Sequence, residues 1–314
     1  MRLSLAVLAS LATTFTAASP IERRAGIDDV AILNYALTLE YLERKFYEEG
    51  LANYTHEDFV KAGFPDPFYK NLQEIYVDEK THVDFLSTGI KAAGGVPVTE
   101  ATYSFPTTDA KSFVTLSSIL EGVGVSAYLG AAASILNKDY LTAAGSILTI
   151  EARHTSYIRS LLGEEPFPTS FDVPLDFDEV FTLASAFIVK FAKNSPALPF
   201  RPFPALPLLC TEHYYEAGCS TVTFTGAAKY AKDGDIYAVF FSGMNKNFVK
   251  TRVDHNDLKL EYGHSIPADV AGQAYIVLSK SATSATDADI VAGPAELEVY
   301  PEGGAPHHHK AACS

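Results

Sequence analysis

The feature that most constrains this chain is a single acid inside a long apolar stretch. Glu121 is the only charged residue between Lys111 and Lys138, and it lies in the run Ile-Leu-Glu-Gly-Val-Gly-Val. The stretch has the composition and apolar spacing of a buried helix. A carboxylate in such a helix cannot easily reach water, so it must be paired, protonated or bound to a cation.

Residues 27–163 have apolar residues at three- and four-residue spacing, which predicts helices. The predicted helices cover residues 30–49, 67–93, 112–136 and 140–162. At about 1.5 Å per residue, each is long enough to form part of a four-helix bundle. A fifth apolar helix is predicted from Phe177 to Phe191.

Two Glu-x-x-His motifs lie on the second and fourth predicted helices. They are Glu79 with His82, and Glu151 with His154. Residues three apart share a helix face, so each carboxylate and imidazole can point the same way. One such motif arises easily by chance on an exposed helix face, but two motifs together with the buried acid of the third helix indicate a site.

The first helix adds another acid in apolar surroundings. Glu40 lies in the run Ala-Leu-Thr-Leu-Glu-Tyr-Leu, and Glu43, one turn later, competes for the same role. Counted from the turns between helices, these acids and both motifs fall near the middle of the bundle. This requires the connector of about 15 residues after the second helix to run the length of the bundle, which its reach of about 3.3 Å per residue allows.

The charge of this set predicts cations. Four carboxylates carry four negative charges and would repel one another in a dry core, whereas two divalent ions cancel that charge. One Glu from each of two helices and a Glu-x-x-His from each of the other two is the ligand set of dimetal carboxylate bundles. Oxygen-rich ligation with two imidazoles favours iron, with manganese as an alternative and zinc still open. The predicted metal ligands are Glu40, Glu79, His82, Glu121, Glu151 and His154.

The N-terminus predicts secretion. Arg2, an apolar run over residues 3–12 and small residues at 16–18 are typical of a signal peptide, assigned to residues 1–18. Residues 19–26 contain Arg23-Arg24 and are interpreted as a propeptide. No later run of 18 or more uninterrupted apolar residues exists, so no transmembrane helix is predicted.

An extracellular location makes other features interpretable. Asn53 begins an Asn-Tyr-Thr glycosylation sequon in a polar loop. Cys210 and Cys219 are close enough in sequence to close a small disulfide loop, which leaves Cys313 over.

The second half of the chain changes character. The helical domain is assigned to residues 27–192, followed by a proline-rich linker at 193–210. From there the apolar pattern alternates with period two, which predicts a small antiparallel β-sandwich over residues 211–302. Residues 303–314, with three consecutive histidines, are expected to form a flexible tail. The fold class is therefore α+β multidomain.

Residues 27–192 resemble the secreted, fungal ferritin-like domain family that includes late sexual development and Rds-type stress-response proteins. The resemblance rests on the run ILNYALTLEYLE at 32–43, both Glu-x-x-His motifs and FDVPL at 171–175. The segment from AGQAY at 271–275 to VAGP at 291–294 is similar to the β region of these proteins. In ferritins a Tyr follows the first ligand Glu by seven residues, which matches Glu40 and Tyr47 and favours Glu40 over Glu43. The resemblance implies a ferritin-like fold and metal binding.

Two functions follow as expectations. The first is a secreted dimetal oxidoreductase that acts with O₂, peroxide or a small-molecule substrate, or handles iron in stress and development. Tyr47, Tyr76 and Tyr128 are then candidates to hydrogen-bond the ligands. The second is a non-enzymatic extracellular or cell-wall protein with a structural or vestigial metal site, whose β region binds a wall polymer.

Other classes of function are disfavoured by the sequence. A net charge of −14, from 24 Lys and Arg against 38 Asp and Glu, repels nucleic acid, so none is expected as a partner. No Gly-x-Ser-x-Gly nucleophile motif or glycine-rich phosphate loop is present.

Overall fold

The structure, a computed structural model, describes residues 27–209 and 214–301. The predicted signal peptide, propeptide and tail, with Cys210 and Cys313, lie outside the described residues. The helices are α1 (Asp29–Asn53), α2 (His56–Lys61), α3 (Phe68–Ala92), α4 (Ala110–Ala131), α5 (Lys138–Leu162) and α6 (Phe177–Ser185).

The four long helices form the predicted bundle, in which α1 packs on α3, α4 packs on α5, and α1 and α4 are neighbours. Capping residues at the helix ends explain where these helices begin and end. Asp28 accepts a hydrogen bond from the backbone of Ala31 at the start of α1, and Asp109 and Ser112 form a capping box at the start of α4. Gly163 ends α5 in the left-handed conformation, with φ of 79°.

Helix α4 is the most apolar of the four. With the 3₁₀ turn that follows it, the span Ala110–Ser134 is long and apolar enough to cross a membrane by length and composition, but 78% of its most apolar window is buried within the protein. The sequence criterion counts only uninterrupted apolar runs, and this span contains Glu121 and several serines. The burial matches a central helix of a bundle.

The fifth helix is shorter than predicted. It ends at Ser185 rather than Phe191, and β2 (Ile188–Lys190) follows it. This strand pairs antiparallel with β1 (Thr102–Tyr103) in the connector between α3 and α4. The β-branched pair Ile188-Val189 suits a strand, and a partner more than 80 residues away in sequence is not visible in local periodicity.

The second half forms one curled, mostly antiparallel sheet of seven strands, which confirms the mixed α+β fold. The order is β3-β9-β8-β5-β6-β7-β4, and only the β3–β9 pair is parallel. The long strand β6 pairs through its first half with β5 and through its second half with β7, so the sheet bends along it. The strands are β3 (Tyr215–Glu216), β4 (Thr223–Phe224), β5 (Tyr237–Ser242), β6 (Asn245–Asp254), β7 (Asp257–Leu260), β8 (Gly272–Ser279) and β9 (Ile290–Tyr300).

The central strands of this sheet are buried on both faces. Along β5, Ala238 and Phe240 lie in the apolar core of the curled sheet, whereas Val239 and Phe241 join the core of the helical bundle. Side chains of a strand alternate between faces, so such a strand has apolar residues at every position. The sheet therefore packs its outer face directly on the helices.

A buried ion pair joins the two parts. Arg159 of α5 is 2% exposed and donates two hydrogen bonds of 2.7 Å from Nη1 and Nη2 to the carboxylate of Glu298 on β9. Glu164 lies 3.5 Å from the same guanidinium. Burial raises the pKa of Glu298 and, with the charge of Glu298, raises the pKa of Glu164 to about 7.

Two covalent expectations have different outcomes. Cys219 is disulfide-bonded, but the other two cysteines lie outside the described residues, so its pairing with Cys210 stays a prediction. Asn53 is exposed, as a glycosylation site requires, but it is the last residue of α1 rather than part of a loop.

Candidate metal centre

The structure brings all six predicted ligands together in the middle of the bundle. Glu40 comes from α1, Glu121 from α4, and the two Glu-x-x-His motifs from α3 and α5. All four glutamates are completely buried. The antiparallel register predicted from the lengths of the helices is thus the one observed, and whether the six bind metal stays a prediction.

The six side chains form two overlapping groups of four. One group is Glu40, Glu79, His82 and Glu151, and the other is Glu79, Glu121, Glu151 and His154; within each group one atom per residue lies within 4.8 Å of the others. Glu79 and Glu151 belong to both groups. The arrangement therefore suits two cations that share two carboxylates, with one further carboxylate and one imidazole for each.

The histidines turn the same ring atom toward the acids. His82 Nδ1 lies 3.1 Å from Glu40 Oε2 and 3.5 Å from Glu151 Oε1. His154 Nδ1 lies 3.1 Å from Glu121 Oε2, in the matching position of the other group. Both rings are thus placed to use Nδ1 as the ligand atom.

Outside the centre, His154 has a second contact that the sequence did not indicate. Its Nε2 lies 3.2 Å from Oδ2 of Asp78, the residue before Glu79 on α3. A carboxylate that binds Nε2 fixes the orientation of the ring and makes Nδ1 a more basic metal ligand. Asp78 is half exposed and has no local sequence signal that separates it from an ordinary surface acid.

Two tyrosines hold the unshared glutamates across the bundle. Tyr47 of α1 donates to Glu121 of α4, and Tyr128 of α4 donates to Glu40 of α1. In each helix the tyrosine follows the glutamate by seven residues, so the two helices exchange the same contact. The repeated Glu-x₆-Tyr spacing is the sequence signal for this exchange. The predicted hydrogen bonds of Tyr47 and Tyr128 are confirmed, whereas Tyr76 packs against the apolar core instead.

The shared glutamates contact the histidines but have no hydrogen bonds of their own among the described residues. Both carboxylate oxygens of Glu79 and of Glu151 are buried without a hydrogen bond among the described residues. Glu79 contacts Nδ1 of His154 and His82 at 3.3 and 3.4 Å, at angles outside hydrogen-bond geometry. Buried carboxylate oxygens without hydrogen bonds are costly, so these oxygens fit the shared positions of a metal pair.

In the metal-free centre, neighbouring charges and burial shift the pKa values of the candidate ligands. Burial raises the pKa of Glu40 to about 7. Burial would lower the pKa of both histidines, but the neighbouring glutamates raise it to about 10 for His82 and about 11 for His154. The same contacts, working against burial, lower the pKa of Glu79 to about 2. The metal-free centre therefore holds protons that cations must displace, which makes binding pH-dependent.

A fifth buried acid lies beside the centre but outside both groups. Glu43 is 4% exposed, and burial together with the charges of Glu79, Glu40 and Glu121 raises its pKa well above the ordinary value. It faces Glu151 across Gly124: a Cβ on that glycine would lie 2.8 Å from Glu151 Oε2 and 3.0 Å from Glu43 Oε1. The structure thus groups Glu40, rather than Glu43, with the candidate ligands.

Comparisons with known proteins agree with this geometry. Residues 28–164 match the family model described as "Ferritin-like domain". The chain is also 27% identical over 185 residues to "Protein rds1" of Schizosaccharomyces pombe, a match that covers 58% of this chain and 44% of that protein. The match thus spans less than half of the length of this relative. Together with the carboxylate and histidine cluster, these similarities support a ferritin-like metal protein.

Proposed function

We propose that this chain is a secreted dimetal carboxylate protein that carries out oxidation–reduction chemistry with O₂ or peroxide. The observation that carries the proposal is the sharing of Glu79 and Glu151 between two four-residue groups. A single structural cation would need only one group. Two groups with common carboxylates are the arrangement that brings two metal ions into contact with the same bridging ligands.

The residues present define which atoms would hold the pair. Glu79 and Glu151 would be shared by both ions. Glu40 and His82 would complete one site, and Glu121 and His154 would complete the other. These are the two overlapping groups of four described above. When bound, a pair of iron or manganese ions would supply the one-electron redox steps. Iron is the preferred metal because the ligands combine carboxylates with imidazole.

The protein's own side chains support reactivity in this proposal. With one atom from each residue, four residues would hold each ion and would leave room for O₂ or peroxide to bind. Tyr47 and Tyr128 hold the unshared glutamates by hydrogen bonds, and Asp78 orients His154. The apolar bundle around them keeps water away, so that charge changes at the centre are felt strongly.

The setting of the activity is also a proposal. The signal-peptide pattern at residues 1–18 supports export to the cell exterior or the cell wall. An acidic chain with a net charge of −14 attracts cations, which helps the capture of metal outside the cell. A role in stress or development rests on the similarity to the Rds-type family.

The first experiment measures metal content. The full chain is produced in a host fed with iron or manganese, and metal per chain is determined for the wild type and for Glu79→Gln. We expect about two ions per chain in the wild type and fewer than one in the variant, because each shared carboxylate serves both sites. Glu74→Gln is the matched control, since Glu74 is exposed on the same helix.

The second experiment tests turnover. Consumption of O₂ and of hydrogen peroxide is followed for the loaded wild type, Glu74→Gln and Glu121→Ala. We expect consumption by the first two and its loss in Glu121→Ala. Wild-type protein that takes up no metal would overturn the metal centre. Two bound ions without any consumption would overturn the oxidoreductase and leave a structural site.

A further inference from the structure

A cavity of about 380 Å³ lies next to the metal centre, between the helices and the sheet. Its walls come from α1, α4, α6, the proline-rich segment and β9. This volume is within the range of small-molecule sites, about 300–1,000 Å³. None of the residues already assigned to the metal centre lines it.

The inner end of the cavity touches the surroundings of the centre. Glu43 and Gly124 both line it. On its other side Gly124 faces Glu151, and its missing side chain is what lets Glu43 Oε1 and Glu151 Oε2 approach the same point. Glu43 and Gly124 therefore line the cavity and also lie close to a shared ligand.

The outer end opens at the surface. Ala186, just after α6, and Ala205, in the proline-rich segment, line the cavity and are exposed. The cavity therefore reaches the surface beside these two small side chains, and this end is called its mouth.

The lining selects a class of molecule. Most of it is apolar, with leucines from α1, α4 and α6 and Val123. The polar exceptions include two acids, Glu43 at the inner end and Glu296 on β9, and no Lys, Arg or His of the described chain lines the cavity. A bound anion would lie beside two acids with no basic side chain to balance its charge, whereas a hydroxyl or amine could donate to either.

We propose that this cavity binds a small apolar molecule with a neutral or amine hydrogen-bond donor, such as a phenol or an alkylamine, and holds that donor at Glu43. That the bound molecule is presented to the metal centre rests on the proposed function. That it binds in the cavity does not. The cavity thereby supplies the substrate class that the centre alone leaves open.

Binding is tested with N-phenyl-1-naphthylamine, a neutral amine whose fluorescence rises in apolar sites. It is titrated into metal-free and metal-loaded full chain and then displaced by octylamine or octanoate, which match in length and differ in charge. We expect saturable binding in both forms and displacement by octylamine at a concentration about tenfold or more below that of octanoate. Glu43→Gln is expected to remove most of that preference.

Two mouth variants locate the site. Ala186→Trp and Ala205→Trp are each expected to weaken probe binding about tenfold or more, because the indole closes the entrance. Ala93→Trp is the control, since Ala93 is exposed at the end of α3 and does not line the cavity. Equal binding by all three variants, no saturable binding by the wild type, or stronger displacement by octanoate would overturn the proposal. Probe binding without metal-dependent turnover would overturn only the proposed function.

Discussion

Replacing Glu151 by glutamine is expected to shift the stability of the protein in opposite directions with and without metal. Glu151 is completely buried, and neither of its oxygens has a hydrogen bond among the described residues. Burial, followed by the charges of four neighbouring glutamates, raises its pKa well above the ordinary 4.5. Glutamine keeps the shape, removes the charge and cannot serve as an anionic bridge.

The size of the effect in the metal-free protein follows from proton linkage. Because its pKa is raised, Glu151 keeps its proton to a higher pH in the folded state than in the unfolded chain, where the pKa is near 4.5. While the proton is kept, it costs about 1.4 kcal/mol for each pH unit above 4.5, so the cost at pH 7 is at most about 3 kcal/mol. The variant avoids this cost, and its unfolding free energy should rise by up to about 3 kcal/mol.

The sign of the pH dependence is fixed by the raised pKa. Below about pH 4.5 the group is protonated in both states, so wild type and variant should be equally stable there. As the pH rises from that point toward the folded-state pKa, the wild type loses stability relative to the variant. The gain from Glu151→Gln must therefore grow between about pH 4.5 and pH 7.

Bound metal is expected to reverse the order of stability of the wild type and Glu151→Gln. Ligand at 100 times its dissociation constant stabilises a folded protein by about 2.7 kcal/mol per site, or about 5 kcal/mol for two sites. Because both sites share Glu151, the variant should lose most of this, and the loaded wild type should then be the more stable by about 2 kcal/mol.

Urea unfolding followed by circular dichroism measures these differences. Each protein is unfolded with a chelator at about pH 4.5 and pH 7, and again at pH 7 with saturating Fe²⁺ or Mn²⁺ under exclusion of oxygen. Glu74→Gln, the exposed control on α3, should match the wild type throughout. A metal-free variant that is less stable than the wild type at pH 7, or a gain that does not depend on pH, would refute the reasoning.

Three further variants test separate parts of the structure. Arg159→Ala should lower the unfolding free energy by about 3–5 kcal/mol in urea, because it leaves Glu298 buried without its partner. Tyr47→Phe should weaken metal binding about 10- to 100-fold in a competition with a chelator, because Glu121 loses its donor. Gly130→Ala should cost about 1–3 kcal/mol, because a Cβ there would lie 1.8 Å from a backbone oxygen of the loop before α6.

Each of these variants has a matched control in the chain. Arg153→Ala, on an exposed face of α5, should change stability by less than about 0.5 kcal/mol. Tyr76→Phe should bind metal as the wild type does. Gly145→Ala has open space for its methyl group in α5 and should stabilise the helix by about 1 kcal/mol. Equal losses in variant and control would contradict the corresponding contact.

The helical bundle and the candidate ligands could be predicted from the sequence because both produce local signals. Helical periodicity repeats within a few residues, and an acid such as Glu121 stands out in an apolar helix. The Glu-x-x-His spacing needs only the geometry of one helix. These signals do not depend on what the other half of the chain does.

Features that depend on distant partners had no such signal. Helix α6 ends early because the residues after it pair with the connector more than 80 positions upstream. The contact of Arg159 with Glu298 joins residues 139 apart, and on α5 alone this arginine resembles any charged residue of a helix. Asp78 is half exposed, so only the folded position of His154 distinguishes it from other surface acids.

The exchange of contacts between α1 and α4 has a consequence for the order of assembly. The hairpin of α1 and α3 contains Glu40, Glu79 and His82, but the tyrosine that steadies Glu40 and the second bridging acid both come from the other hairpin. Neither hairpin can build a complete cation site by itself. The complete set of candidate ligands therefore exists only after the two hairpins have docked, so the centre is assembled by tertiary packing and not within either hairpin.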